Sequence, residues 1–360
     1  MDTWTPPFCP HRQCAFHCAS EGWEWIKMGF FSRLRCLPTQ IQRYQCLHCR
    51  RTFSTQTFQT TYWLHQPELQ ALIFGRIQGC TGLRQIALDQ EVSPSTIQGH
   101  ISRLGRHCLL FQHEHRPEIK EPLVLDGFES FEYSQFNPFH FNVLVGKRSH
   151  FFHLFTDSPL RRKGRMSEAQ KLERLRLEEK LGRPDPKAIE KGVAELLGMA
   201  ACAGASMTLY SDEHPAYPRA FKRLPQLKIE HHRTPSTATR NPQNPLFPVN
   251  LLDLLIRHGG ANHKRETIAF SKRRQGAIER LAMLQVWRNF MRPFSVRRRD
   301  PTPAQRAGVM QTKMSVQELL SKRLFATQVR LPRGLVTYYE RDVQTAALGG
   351  NSNHRLRYAY

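Results

Sequence analysis

The spacing of apolar residues divides the chain into a helical stretch and then a stretch in which strands dominate. Between Gln66 and Phe111 the apolar positions recur at helical period. Leu83, Ile86 and Ala87 make one stripe, and Ile97, Ile101 and Leu104 make the next. Ser93 lies between them as an N-cap, with Pro94 at the first helical position, where its fixed φ suits a helix start and its missing N–H costs nothing. Two helices with Val92 in the turn have the layout of a helix-turn-helix, or of an ordinary helical hairpin. From Glu121 the period shortens. Pro122–Tyr133, Phe141–Val145 and His150–Phe155 read as consecutive strands, with Gly146–Ser149 short enough for a hairpin turn. A charge-dense helix over Ser167–Leu181 closes at Gly182-Arg-Pro-Asp-Pro186. A helix over Lys187–Cys202, a strand over Ser206–Ser211, a short helix over Pro218–Leu224 and a strand over Leu227–Glu230 follow.

Three strands, a helix, a strand, a helix and a strand follow the order of a ribonuclease-H-like α/β fold. Two of the strands end in a carboxylate that packing does not require. Leu123-Val-Leu125 reads as a strand buried on both faces and runs into Asp126, and Met207–Ser211 runs into Asp212. Either aspartate alone is explained as a turn residue or a helix N-cap. Together, at one sheet edge, they suit Mg²⁺ or Mn²⁺ and two-metal phosphodiester chemistry. Three acids compete for a third position. Asp253 lies early in a helix after the proline-rich loop 242–248, among Leu251, Leu252, Leu254 and Leu255. Glu266 sits amid Lys264, Arg265 and Lys272, and Glu279 precedes Arg280 on an amphipathic helix, where it reads as a surface ion pair. The apolar setting favours Asp253, because a carboxylate there needs a partner.

Charge narrows the partner. The chain of 360 residues carries 53 Lys and Arg against 30 Asp and Glu, a formal net charge of +23, which predicts a polyanion and most simply nucleic acid. Phosphates would be held by Lys and Arg of the 161–165 and 264–274 runs, with Lys264, Lys272 and Arg273 as candidates. The outward face of the second helix, with Ser95, Thr96, Gln98, His100, Ser102 and Arg103, suits a DNA groove. His214 and His263 could orient water or phosphate, although a structural or solvated histidine is the commoner case. The longest small-apolar run, Leu196–Ala205, is too short for a membrane span, and Met1-Asp-Thr-Trp-Thr-Pro-Pro lacks a signal pattern, so a soluble, intracellular protein is expected.

Six of the nine cysteines fall in the first fifty residues: Cys9, Cys14, Cys18, Cys36, Cys46 and Cys49. Cys46-Leu-His-Cys49 is a tight knuckle, and Cys9 with Cys14 is its expected partner, although His11, His17 or Cys18 could stand in for Cys14. Four ligands of this kind predict a structural Zn²⁺ in a zinc ribbon.

These features resemble an insertion-sequence transposase of the DDE type with a zinc-ribbon and helix-turn-helix head. The resemblance is carried by the cysteine pairs, the helix-turn-helix and Leu123-Val-Leu-Asp126-Gly. Further carriers are Leu209-Tyr-Ser-Asp212-Glu-His-Pro-Ala-Tyr217, Asn244–Asp253 and the basic run Asn262–Arg274. It covers roughly residues 9 to 292 and departs from the family at the third acid, where Asn250-Leu-Leu-Asp253 replaces the expected Asn-x-x-Glu. It implies a zinc ribbon over 1–62, a helix-turn-helix domain over 63–115, a catalytic domain over 120–292 with a charged insertion near 161–186, and a basic C-terminal tail over 293–360. It also implies Asp126, Asp212 and Asp253 as catalytic Mg²⁺ or Mn²⁺ ligands, and double-stranded DNA bearing terminal inverted repeats as partner. A homo-oligomer on that DNA and a cytoplasmic, nucleoid-associated location follow. Two other readings remain: a DNA-binding regulator with a degenerate nuclease domain, and an RNase-H-like nuclease without strand transfer.

Overall fold

A computed structural model describes residues 4–33, 38–201, 206–264 and 266–352. Cys36, Cys202, Arg265 and the last eight residues of the expected tail lie outside the described residues. The head is a three-stranded antiparallel sheet of β1 (Trp25–Ser32), β2 (Gln40–Cys46) and β3 (Thr52–Ser54). Its small core joins Cys9, Cys14 and Cys46 to Tyr44 and Phe53. Three helices follow: α1 (Leu69–Gln78), α2 (Leu83–Asp89) and α3 (Pro94–Glu114). Ser93 caps α3 as its sequence predicts, its Oγ accepting from the Thr96 N–H at 3.1 Å.

The larger sheet contains β4 (Leu123–Phe131), β5 (Pro138–Gly146), β6 (Phe152–Pro159), β7 (Ser206–Ser211) and β8 (Lys228–Arg233), in the order β6-β5-β4-β7-β8. β4, β5 and β6 pair antiparallel, whereas β4, β7 and β8 run parallel. The helices between them are α4 (Glu168–Leu181), α5 (Ala188–Ala200) and α6 (Ala216–Phe221), with α7 (Phe247–Gly259) and α8 (Arg274–Val286) after β8. β4 is the middle strand, which explains why Leu123, Val124 and Leu125 are wholly buried. Adjacent strand residues face opposite sides. Asn142, on β5, meets the backbone of α5 near Gly192, so Phe141 beside it faces the other way, toward Phe128, His263 and α7. Asp126, two residues from Phe128, is on this α7 side.

α4 buries no residue and holds Arg161 to Glu178 at 2.7 Å, the solvated helix its charge pattern implies. Two expectations need correction. The segment after residue 292 folds back as α9 (Pro303–Arg306), α10 (Val316–Ser321), α11 (Ala326–Val329) and α12 (Arg333–Glu340), burying Ala304, Leu319, Phe325 and Tyr338, so through residue 352 it is not a tail. α3 is also no free-standing reading helix, because it crosses α8 so closely that a Cβ on Gly105 would lie 2.7 Å from the Glu279 Cα. One apolar cluster runs from Leu69 in α1 through the sheet to Val343. Among the described residues no helix is long and apolar enough to cross a membrane.

Candidate functional site

Asp126 and Asp212 are held by neighbouring strands that run parallel, and each carboxylate is set by a local backbone donor. The Gly127 N–H donates to Asp126 Oδ1 at 2.8 Å, and the His214 N–H donates to Asp212 Oδ1 at 2.9 Å. Position 127 must be glycine, since a Cβ would collide with His140 Nε2 and the Phe141 carbonyl oxygen. Burial pushes the Asp126 carboxyl up to about 7, and the nearby charges of Asp212 and Asp253 push the same way, while Arg240 opposes them. Tyr217 is buried on α6, and its hydroxyl is driven well above its ordinary value, first by burial and then by the nearby charges of Asp126 and Asp212. Its signal in the sequence was an aromatic hydroxyl five residues beyond Asp212, on a helix start that packs inward, where a buried O–H needs an acceptor.

Of the three acids competing for the third place, Asp253 is the one whose charge acts on Asp126. Its surroundings differ from expectation: Leu254 is exposed, and the carboxylate has an ion-pair partner in Arg257 at 3.4 Å, one turn along α7. Glu266 is exposed. Glu279 is no surface ion pair but wholly buried, with Arg341 Nε at 2.9 Å and Ser102 Oγ at 2.8 Å. The three aspartates are hard oxygen donors whose mutual repulsion a divalent cation would relieve, which fits Mg²⁺ or Mn²⁺ by donor type. Among the described residues they do not form a cluster with all ligand atoms within 4.8 Å.

The polar face of α3 turns out mostly inward. Ser95 is exposed and Thr96 half-buried, but His100 and Ser102 are buried, and Gln98 donates to Glu279 at 3.2 Å. The Arg103 guanidinium donates to the carbonyls of Thr60 and Tyr62, so it is turned into the protein instead of outward. Lys264 and Lys272 are exposed, and Arg273 reaches the Gly349 carbonyl at 2.6 Å. His263 is structural: it is buried edge-on to Phe128 and Phe141, and burial drives its ring down to about 3. His214 is half-buried beside Asp212.

In the head, Cys9, Cys14, Cys46 and Cys49 place their sulfurs within 4.8 Å of one another and can hold a zinc ion. Cys9 and Cys49 are 3.7 Å apart, Cys14 and Cys46 3.9 Å, and tetrahedral Zn–S bonds of about 2.3 Å set sulfurs about 3.8 Å apart. The Trp23 indole N–H points at Cys46 Sγ from 3.2 Å, and the Cys49 N–H from 3.5 Å, donors that favour a thiolate and bring that thiol down to about 7 against the effect of burial. The alternatives to Cys14 are engaged elsewhere or outside: His17 bonds the Cys9 carbonyl at 2.8 Å and Thr327 at 2.6 Å, His11 lies against Arg51, and Cys18 is exposed.

A scan against protein-family models finds no match, and a search of curated proteins finds none either. Among solved structures, the chain is similar to one in the cryo-EM structure of a simian T-cell lymphotropic virus intasome in complex with PP2A regulatory subunit B56 gamma. The alignment has 13% identity and a TM-score of 0.26, and covers 68% of this chain and 77% of that one. A score of that size is too low to mark a shared fold.

Proposed function

We propose that the protein is a metal-dependent polynucleotidyl transferase of the DDE transposase type, with a ribonuclease-H-like catalytic domain that binds and cuts double-stranded DNA. The observation that carries this reading is that Asp126 lies on β4 and Asp212 just beyond its parallel neighbour β7, with the charges of Asp212 and of Asp253 on α7 both raising the carboxyl of Asp126. Mg²⁺ or Mn²⁺ bound by these aspartates would supply Lewis-acid activation of the attacking hydroxyl and charge relief at the leaving oxygen. The chain's own groups keep the acids in place: the Gly127 N–H holds Asp126, and the backbone at His214 holds Asp212, while buried Tyr217 lies beside both acids. The positive charge supplies the sequence-independent share of DNA affinity, with Lys264 and Lys272 exposed. Terminal inverted repeats as the preferred DNA, and a homo-oligomer assembled on it, belong to this reading.

The ion pair between Asp253 and Arg257 favours a second reading, a DNA-binding regulator whose third acid is occupied. Purified protein incubated with Mg²⁺ and supercoiled DNA separates the two, with Asp126→Asn, Asp253→Asn, Glu266→Gln and Glu279→Gln beside it. The transferase reading expects nicking and joining that fall to background in the two aspartate variants and survive in Glu266→Gln. Absence of nicking by the unaltered protein overturns it in favour of the regulator, and nicking without joining points to a nuclease. Loss at Glu266 with retention at Asp253 would move the third acid, whereas loss at Glu279, buried against Arg341 and Ser102, counts for a metal role only if the variant folds as stably as its parent.

A further inference from the structure

Where the head, α3 and the C-terminal segment meet, three arginines converge on one cavity. Its volume is about 50 Å³, and Arg103, Arg106, Arg323, His107, Gln70 and Tyr339 line it. Among the described residues no carboxylate lines it. Arg103 donates to the carbonyls of Thr60 and Tyr62, and Arg323 donates to the Thr57 carbonyl at 2.8 Å and stacks on Tyr62 and Phe325. These carbonyls and ring faces hold the Arg103 and Arg323 guanidinium groups in position. Arg103 is brought down to about 10 by burial and then by Arg323 and Arg106, and Arg323 falls to about 10 by burial, which outweighs the opposing effect of Tyr339 and Tyr62, with Arg106 a smaller contribution in the same direction as burial.

Arg106 is the open member of the set. Its guanidinium carbon stands 4.2 Å over the Tyr339 ring, and its buried Nε has no hydrogen-bond partner. A guanidinium fork matches the oxygens of a phosphate or carboxylate better than any other side chain does. The cavity is several times what one water needs, roughly 10–15 Å³, and too small for a nucleoside. We propose that this cavity is a phosphate-binding site, taking the tetrahedral oxyanion of inorganic phosphate or of a nucleic-acid phosphodiester between Arg103, Arg106 and Arg323. A bound oxyanion would tie the end of the head to α3 and to the segment between α10 and α12, three parts far apart in sequence. Water is the competing occupant, and Gln70 Oε1, buried without a partner, is an acceptor that water would satisfy.

Thermal unfolding of the full chain with its zinc, in inorganic phosphate against chloride at equal ionic strength, tests the site. For the unaltered protein the midpoint should rise saturably with phosphate, by about 2–4 °C. Arg106→Gln should lose that rise, and Arg106→Lys, which keeps the charge without the fork, should keep part of it. An equal rise in the unaltered protein and Arg106→Gln, or no advantage of phosphate over chloride, overturns the proposal. The source of the phosphate follows from duplex DNA binding across a salt series. A slope of affinity against salt reduced by about one in Arg106→Gln marks a DNA phosphate, and an unchanged slope with the phosphate response lost marks the free anion. The unfolding measurement needs no DNA cleavage, so it stands or falls separately from the transferase reading.

Discussion

Burial sets the behaviour of individual ionisable residues here, and the sequence reveals burial unevenly. A carboxylate that breaks or ends an apolar strand is legible, and Asp126, within β4 and not at its end, and Asp212, just after β7, stood out that way. Tyr217 was not singled out, because the acids whose charge acts on its hydroxyl, Asp126 and Asp212, lie on other elements. Nor did the pattern show that Asp253 has Arg257 beside it, since an i,i+4 pair on a helix is indistinguishable from a solvated one until the helix is placed. His153 gives the clearest consequence for pH. It is buried on β6 with neither ring nitrogen partnered, and burial drives it down to about 3. A histidine whose folded value lies below its unfolded one contributes stability above the ordinary value near 6.5, and that stability is lost as pH falls toward the folded value. Denaturant titrations at pH 7.5 and pH 5 should therefore show the unaltered protein losing roughly 2 kcal/mol more than His153→Leu does. Parallel loss in both proteins would mean the ring is hydrated or partnered in the folded state.

At the scale of elements, periodicity, buried apolar runs and charge density between them pointed to most helices and strands of the region from Gln66 to Arg233. What it misplaced is the orientation of α3. Gln98 and Ser102 read as outward polar residues, yet they face Glu279, a partner 181 and 177 positions away that no local pattern contains. The same crossing makes opposite demands on two glycines of one helix. A methyl at Gly105 would press on the Glu279 backbone 2.7–2.8 Å away, whereas Gly99 has nothing within 4 Å. Gly105→Ala should thus cost about 1–3 kcal/mol by overpacking, and Gly99→Ala should stabilise by about 0.5–1 kcal/mol through helix propensity alone. Chemical denaturation of the two variants checks this, and a Gly105→Ala protein as stable as its parent would show that α3 and α8 are not in backbone contact.

For the whole molecule, the cysteine cluster and the C-terminal segment form one structural unit despite lying far apart in the chain. Phe8, Phe58 and Phe325 pack ring to ring, Thr327 bonds His17 at 2.6 Å, Gln328 donates to the His17 carbonyl at 2.9 Å, and the Arg323 N–H reaches the Phe58 carbonyl at 3.2 Å. The sequence did not show this, since helices of four to eight residues are too short to register a period and the aromatic anchors are single residues. Structural zinc supplies folding free energy directly, on the order of 10–16 kcal/mol in small zinc-dependent peptides, far more than three strands with five buried core residues can supply. Loss of the ion should therefore unfold the head and release the contacts resting on it. Cys49→Ser, or a zinc chelator, should abolish stoichiometric zinc and remove amide-exchange protection over 40–54 and over 319–329 together. Protection over Leu123–Val145 should stay, because β4 and β5 draw their burial from α5, α7 and each other. If residues 319–329 keep their protection while the head loses it, the C-terminal segment is held by α3 alone. If the sheet loses protection as well, folding is one cooperative unit that the zinc ion controls throughout.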